Sequence, residues 1–126
     1  QQKRSVRVAD VIRNEISMLL VSKIRDPKLE SVSISRVELS DDLKYARVFF
    51  TLLYGKEKRR NAEGGLERAK GFIRSHLAKT INLRYTPKLR FVYDKTAEKV
   101  EEIEKLFEEI AQERKDTGEG EVGSDS

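Results

Sequence analysis

The fold is decided by residues 56–90, KEKRRNAEGGLERAKGFIRSHLAKTINLRYTPKLR, which join a helix pattern to the start of a strand. From Leu66 onward, apolar side chains recur at three- and four-residue spacing, and this repeat predicts an amphipathic helix with one buried face. Beyond it, Leu89 and Phe91 begin an alternation that predicts a strand, and Pro87 keeps that strand from starting earlier. A helix leading into a strand indicates an α+β architecture.

Positive charge is concentrated in the same stretch. Residues 56–90 carry eleven Lys and Arg against three Glu, a formal charge of +8, whereas the whole chain of 126 residues carries +4. Residues 1–93 sum to +11 and residues 94–126 to −7. A dense cationic surface favours a polyanionic partner, and nucleic acid is the commonest one. We therefore expect a basic working domain in residues 1–94, followed by an acidic extension.

Length and composition exclude several classes of protein. The chain is long enough for one modest domain and too short for two ordinary ones. It contains no Cys, which excludes disulfides and thiolate chemistry. Its longest apolar runs fall well short of the roughly 18 residues that span a bilayer, and the N-terminus has no apolar signal region. We expect a cytoplasmic monomer without a membrane partner, metal or cofactor.

A helix precedes the rest of the domain. Ile12, Ile16 and Leu19 recur at helical spacing and mark its buried face. Asp26-Pro27 then ends it, because the residue before a proline is pushed out of the helical region.

Two strands follow and predict a β-hairpin. In residues 31–40 the apolar positions shift from even to odd numbers, which predicts a bulge near Ser35-Arg36. Residues 45–54 form the second strand. The acidic pair at residues 41–42 could hold a cation, but beside a serine it is more typical of a turn. The predicted order is helix, strand, strand, helix, strand, with the helices covering a three-stranded sheet.

Glycines in the central helix predict two irregularities. Each glycine of Gly64-Gly65 costs about 1 kcal/mol of helix stability, so we expect residues 61–68 to form a short or mobile turn. Gly71, close to Ala69, predicts a kink or close packing.

The outer side of this helix carries a ridge of small residues, Gly71, Ser75, Ala78 and Asn82. Small side chains allow another backbone to approach closely, and Arg74 and Lys79 flank them, as an RNA contact requires. A neighbouring helix could pack on the same ridge, and spacing alone does not distinguish the two.

The acidic extension predicts one more helix. In residues 95–116 the side chains of Val100, Ile103, Phe107 and Ile110 share one face, with many Glu on the other. This face either packs on the domain, which we favour because a soluble monomer hides such faces, or binds a partner. Residues 117–126, rich in Gly, Glu and Ser, predict a disordered tail.

The element order resembles a type II K-homology domain, although the Gly-X-X-Gly loop that holds RNA in such domains is absent. Four segments narrow the resemblance to the bacterial ribosome-binding factor A family: IRDPKL at 24–29, VELS at 37–40 with the residues at 42–43 and 45–46, AKGFIRS at 69–75, and LRFVYD at 89–94.

The resemblance implies a K-homology type II-like fold, to which the helix predicted in residues 95–116 is an addition; family tails vary beyond Asp94, so the resemblance implies no role for it. In this family an Ala-X-Gly kink, here Ala69, Lys70 and Gly71, replaces the loop in a helix-kink-helix. It also implies a cytoplasmic factor, not an enzyme, that binds the free small (30S) ribosomal subunit through 16S rRNA and assists its late maturation and 5′-end rRNA processing.

Cations around the kink become the candidate rRNA contacts. They would position the protein on phosphates without reading sequence. The candidates are Arg59, Arg60, Arg68, Lys70, Arg74, Ser75, Lys79, Arg84 and Lys88, with Lys3, Arg4 and Arg7 as a possible second patch.

Other functional classes remain open or are disfavoured. A generic K-homology-like RNA-binding module and a protein-interaction adaptor are the alternatives. An enzyme is disfavoured because His76, the single histidine, lies at the edge of the apolar stripe, where a packed or boundary role is typical. No nucleophile motif or metal-ligand spacing accompanies it.

Overall fold

The structure is a computed structural model that describes residues 3–53 and 59–117. The chain forms two compact units, Gln1–Asp94 and Lys95–Ser126. The elements of the first unit are α1 (Arg4–Ser22), a 3-10 turn (Pro27–Leu29), β1 (Val32–Leu39), β2 (Tyr45–Leu52), α2 (Arg59–Thr80) and β3 (Lys88–Tyr93). The second unit contains α3 (Thr96–Thr117).

The sheet has the order β1-β2-β3, with β2 at its centre. Strand β1 pairs with β2 in antiparallel fashion, as the predicted hairpin requires. Strand β3 pairs with β2 in parallel, because α2 carries the chain back to the end at which β2 began. The α+β class with a three-stranded sheet is confirmed.

A bulge interrupts β1 where the apolar pattern changes parity. Ile34 faces Phe50 and Arg36 faces Phe49, so Ser35 is the additional residue. The Ser35 hydroxyl donates to a carboxylate oxygen of Asp94 at 2.7 Å, and Asp94 is only 7% exposed. The predicted bulge is confirmed, and a buried carboxylate at the end of β3 holds it in place.

The turn between β1 and β2 is built on side-chain hydrogen bonds. Asp42 accepts from the Ser40 hydroxyl at 2.6 Å and from the Lys44 backbone N–H at 3.1 Å. Both hydrogen bonds lower the pKa of Asp42, and the bond from the Ser40 hydroxyl has the larger effect. Leu43 takes the left-handed conformation with φ of 63°. The interpretation of the acidic pair as a turn is therefore confirmed.

The core lies between one face of the sheet and the two helices α1 and α2. Each helix contributes the stripe that its spacing predicts, and each strand contributes alternate residues. The fully buried large side chains include Ile12, Ile16 and Leu19 of α1, Val48 and Phe50 of β2, and Leu66, Ile73 and Leu77 of α2.

Helix α2 differs from the sequence-based expectation at its start. It begins at Arg59 and runs without a break through residues 61–68, which we expected to form only a short turn. Gly65 is buried, and a Cβ atom placed on it would lie 2.8 Å from Cδ2 of Leu29. The glycine that weakens the helix locally is therefore the one that allows close packing of α2 on the 3-10 turn.

The helix also continues through Ala69, Lys70 and Gly71. Among the described residues, a Cβ atom on Gly71 would have no atom within 4 Å apart from its chain neighbours and its own helix backbone, so close packing against these residues does not account for this glycine. The kink itself stays a prediction.

Helix α3 is amphipathic, as its sequence predicts. Its apolar residues Val100, Ile103, Leu106 and Phe107 each keep about half or more of their surface exposed. Packing of this helix on the domain stays a prediction, and truncation after Asp94 tests it through the melting temperature. Of the predicted tail, residues 118–126 lie outside the described residues, and Thr117 is the last residue of α3.

Candidate nucleic-acid interface

Helix α2 supplies most of the candidate contacts. Its core stripe points at the sheet, so the cations fall on the remaining surface of the helix. Arg59, Arg60, Arg68 and Lys79 are exposed, whereas Lys70 and Arg74 are half-buried. These cations differ in the ion pairs and hydrogen bonds that they make within the protein. A cation with fewer such partners is more available to bind a phosphate.

Two of the arginines stabilise the fold. Arg68 pairs with Asp26 at 3.0 Å. Arg74 donates to the carbonyl oxygens of Thr86 and Pro87, at 3.1 and 3.2 Å. Arg74 thereby ties α2 to the segment that leads into β3, and its guanidinium is less available to phosphate than the sequence suggested.

Lys70 and Arg59 have partners on or near their own helix. Lys70 pairs with Glu67 at 2.8 Å, and Arg59 lies 3.7 Å from Glu63. The Arg59 guanidinium carbon also lies 4.8 Å from the ring centroid of Tyr93. Surface pairs of this kind contribute about 0–1 kcal/mol, so a phosphate can displace the carboxylate at low cost.

Arg60 and Lys79 are the most available cations of the helix. Within residues 3–53 and 59–117, neither takes part in an ion pair. Lys79 lies beside the ridge of small residues, and Gly71 and Ser75 of that ridge are exposed. In the first unit the ridge is therefore an open strip of helix backbone with cations beside it.

The segment before the 3-10 turn positions this helix. Asp26 accepts the Lys28 backbone N–H at 3.0 Å as well as the Arg68 guanidinium. Both hydrogen bonds lower the pKa of Asp26, and the bond from the Lys28 N–H has the larger effect. Leu29 fills the space that Gly65 leaves open. The sequence showed Asp26 only as a helix stop, and its partner 42 residues later leaves no local signal.

The second basic patch is larger than predicted. Lys3 lies 3.9 Å from Asp41. Arg4 lines a hollow of about 220 Å³ together with Lys44, Arg84 and Tyr85. The structure thus brings Arg84, which the sequence grouped with the helix, next to the N-terminal cations, while Arg7 is exposed on the same helix end.

Lys88 lies elsewhere, on the face of the sheet that points away from α1 and α2. Arg47 and Arg90 lie near it on this face, and Arg36 lies farther along the same face beside Phe49; none of these three arginines is among the candidates predicted from the sequence. The sequence did contain a signal for this face: Tyr45 and Arg47 alternate along β2 with the apolar residues Ala46 and Val48, which are buried.

His76 has a structural partner. Its Nε2 atom lies 3.1 Å from Oε1 of Glu15, joining α2 to α1, and both side chains are about three-quarters buried. The boundary role predicted for His76 agrees with this contact. The described parts of the chain contain no group of three His, Asp or Glu arranged to hold a metal ion. No helix among them is long and apolar enough to cross a membrane.

A family model and the sequences of known proteins both relate this chain to ribosome-binding factor A. A family model described as ribosome-binding factor A matches residues 4–107. Ribosome-binding factor A of Syntrophobacter fumaroxidans is 44% identical over 112 residues, which cover 87% of this chain and 96% of the relative.

Structures of ribosome binding factor A proteins have a fold similar to that of this chain. The solution NMR structure of a Thermotoga maritima protein, a putative ribosome binding factor A, has a TM-score of 0.64 and 38% identity, covering 74% of this chain and 89% of that one. A Thermus thermophilus ribosome binding factor A homology model, fitted into the cryo-EM map of a 30S complex, has a TM-score of 0.58 and covers 71% of this chain and 94% of that one. At 20% identity, the second likeness carries the fold alone.

Proposed function

This chain belongs to the ribosome-binding factor A family, and we propose that it binds the free small (30S) ribosomal subunit through 16S rRNA. In this proposal it assists late maturation of the subunit, including processing of the rRNA 5′ end. The observation that carries the proposal is the outer surface of α2, where Lys79 lies beside an exposed ridge of small residues and Arg60 lies in the first turn of the same helix. Neither cation has an acidic partner in the described chain.

The mechanism is electrostatic docking. Cations that neutralise phosphates release counterions, and the release favours binding at low salt. Exposed Gly71 and Ser75 let an rRNA backbone come close to the helix, while Arg60 and Lys79 contact its phosphates. Arg68 and Arg74 hold α2 in position through their bonds to Asp26 and to the carbonyls before β3.

We propose a binding role and not a catalytic one. His76 is engaged with Glu15 between two helices, and the described chain contains no group of three His, Asp or Glu that could hold a metal ion. The protein then acts as a cytoplasmic monomer that promotes processing by others. Purified protein that cleaved precursor rRNA unaided, and lost this activity on His76→Ala, would contradict this part of the proposal.

Co-sedimentation tests the partner directly. The protein is mixed with free small subunits, free large subunits and joined ribosomes, and each pellet is assayed. We expect binding to free small subunits alone. Equal binding to all three would favour a generic RNA-binding module, and binding that survives removal of the RNA would favour a protein-interaction adaptor.

Salt dependence tests the surface. The double variant Arg60→Gln/Lys79→Gln should weaken binding and lower the slope of log K against log salt by roughly two, about one for each lost phosphate contact. The matched control, Lys99→Gln/Lys105→Gln, removes the same charge from exposed positions of α3 and should leave the slope unchanged. Equal effects of the two variants would mean that net charge alone acts.

Complementation tests the processing role. In a bacterial strain that lacks its own family member, wild-type protein should restore mature 5′ ends of 16S rRNA, measured by primer extension. The Arg60→Gln/Lys79→Gln variant should restore fewer of them at equal protein level. Binding to small subunits without any change in 5′ ends would remove processing from the proposal and leave the binding.

A further inference from the structure

Within the first unit, one face of the sheet is left open by α1 and α2, and it carries charge and aromatic rings. Helices α1 and α2 cover the opposite face, where Ala46, Val48 and Phe50 of β2 are buried. On the open face, Arg47 of the central strand faces Glu38 on one side and Arg90 on the other. Tyr45, also on the central strand, pairs with Lys88.

Two arginines of the open face, Arg36 and Arg47, are held in place by contacts with other residues of that face. The guanidinium carbon of Arg36 lies 3.8 Å from the ring centroid of Phe49, and that of Arg47 lies 5.8 Å from it. Both arginines also pair with Glu38. This covering explains why Phe49 is only 7% exposed on an otherwise open face. The guanidinium groups are therefore preorganised, and binding orders few further rotamers.

The other end of the face is less restrained. Tyr45 is 56% exposed, and Lys88 and Arg90 are exposed and without an ion pair in the described chain. These three residues, with Arg47, line a cavity of about 520 Å³. Four cations face two carboxylates across the whole surface, Glu38 and the buried Asp94, so the open face has a net positive charge.

We propose that the open face of the sheet is a second RNA surface and binds an unpaired, single-stranded segment. A base stacks on the exposed ring of Tyr45, while Lys88 and Arg90 contact the phosphates on either side of it. The held guanidinium of Arg36 offers a further plane for stacking. The inference rests on the proposed function in taking RNA as the partner, but it uses residues outside α2.

Single-stranded RNA fits this surface better than a duplex or a protein. Stacking on a ring or a guanidinium plane requires an unpaired base, and sheet faces with exposed aromatics on central strands bind RNA in this way. A protein partner would favour a larger apolar area, and the exposed residues around Tyr45 are mostly charged. Since α2 lies on the other side of the sheet, the molecule could then contact two RNA segments at once.

The test uses full-length protein and a single-stranded RNA of about six nucleotides, a length within the site sizes of single-strand-binding folds. Affinity is measured by fluorescence anisotropy, with a duplex RNA of equal length as the comparison. Tyr45→Ser should weaken single-strand binding about tenfold, and Tyr45→Phe, which keeps the ring, should bind like wild type. Arg90→Gln should lower the salt slope by roughly 0.7.

A direct map accompanies the affinities. In the backbone amide NMR spectrum, the single strand should shift resonances of residues 45–49 and 88–92 more than those of residues 60–79. If wild-type protein does not bind the single strand, or if Tyr45→Ser and Arg90→Gln bind as wild type, the inference is wrong. A spectrum that shifts only in residues 60–79 overturns it as well.

Small-subunit sedimentation separates this inference from the proposed function. If wild type binds small subunits but single-strand binding ignores Tyr45, the second surface is wrong and the proposed function stands. If wild type does not bind small subunits yet binds the single strand through Tyr45, the proposed function fails and the second surface stands. A purified ribosomal protein that shifts residues 45–49 while RNA does not would assign the face to a protein partner and overturn the inference.

Discussion

Gly65→Ala is expected to destabilise the protein, although alanine is the better helix former. A Cβ atom at this position would lie 2.8 Å from Cδ2 and 3.0 Å from Cγ of Leu29, and 3.3 Å from a carboxylate oxygen of Asp26. Leu29 is 4% exposed and has little room to move. Overpacking of a filled core costs about 1–3 kcal/mol.

The gain in helix propensity offsets part of that cost. Alanine in place of glycine favours a helix interior by about 1 kcal/mol, so the net loss for Gly65→Ala should be about 1 kcal/mol. The matched control is Gly64→Ala, one residue earlier in the same helix. Its Cβ would meet only the end of the flexible Arg68 side chain at 3.4 Å, so it should stabilise the protein by up to about 1 kcal/mol.

Urea denaturation followed by circular dichroism gives both free energies of unfolding. The two variants should differ by about 2 kcal/mol, with opposite signs relative to wild type, or by about 8 °C in Tm. If Gly65→Ala proved as stable as Gly64→Ala, the close approach of α2 to the 3-10 turn would not be needed, and the reasoning would be refuted.

Three further predictions follow from single contacts. Gly71→Ala should raise the free energy of unfolding by up to about 1 kcal/mol, since its Cβ would approach no other described part of the chain within 4 Å, yet weaken small-subunit binding in sedimentation; unchanged binding would contradict a role for the ridge. The pKa of Asp26 is lowered from 3.8, so its contribution to stability is present above that value and is lost as the pH falls through the folded pKa. Asp26→Asn should therefore flatten the acid limb of a stability profile and cost up to about 1 kcal/mol at neutral pH, and an unchanged limb would rule Asp26 out as its origin. Ser35→Ala should cost about 1–2 kcal/mol in urea denaturation, because Asp94 is buried and loses a donor; a neutral result would mean that the other contacts of Asp94, Arg36 among them, satisfy its carboxylate.

The sequence predicted those parts of the fold that depend on a local pattern. The change of parity in β1 located the bulge, because a one-residue slip must turn the side chains to the opposite face. The role of Gly65 was missed, since propensity measures the helix alone and the contact with Leu29 joins residues distant in sequence.

The sequence predicted the positive charge of the candidate site, but it did not predict which contacts its side chains make. The density of cations in α2 predicted a basic surface, and their role as RNA contacts stays a prediction. Nothing in the local sequence shows that Arg74 donates to two backbone carbonyls. The open face was missed for a related reason. Arg36 and Arg47 are separated by a turn, and Arg90 by a helix, so only the pairing of the strands brings them together.

The position of Asp94 has a consequence for synthesis of the chain. Its N–H donates to the Phe50 carbonyl at 2.8 Å, and its carboxylate reaches Ser35, 59 residues earlier. While β3 and Asp94 of a nascent chain are still inside the ribosome, one edge of the central strand β2 is unpaired. The Ser35 hydroxyl at the bulge also lacks the Asp94 carboxylate to which it donates. The domain therefore completes its sheet only after residue 94 has left the exit tunnel, and a chain stalled before that point would expose an edge prone to aggregation.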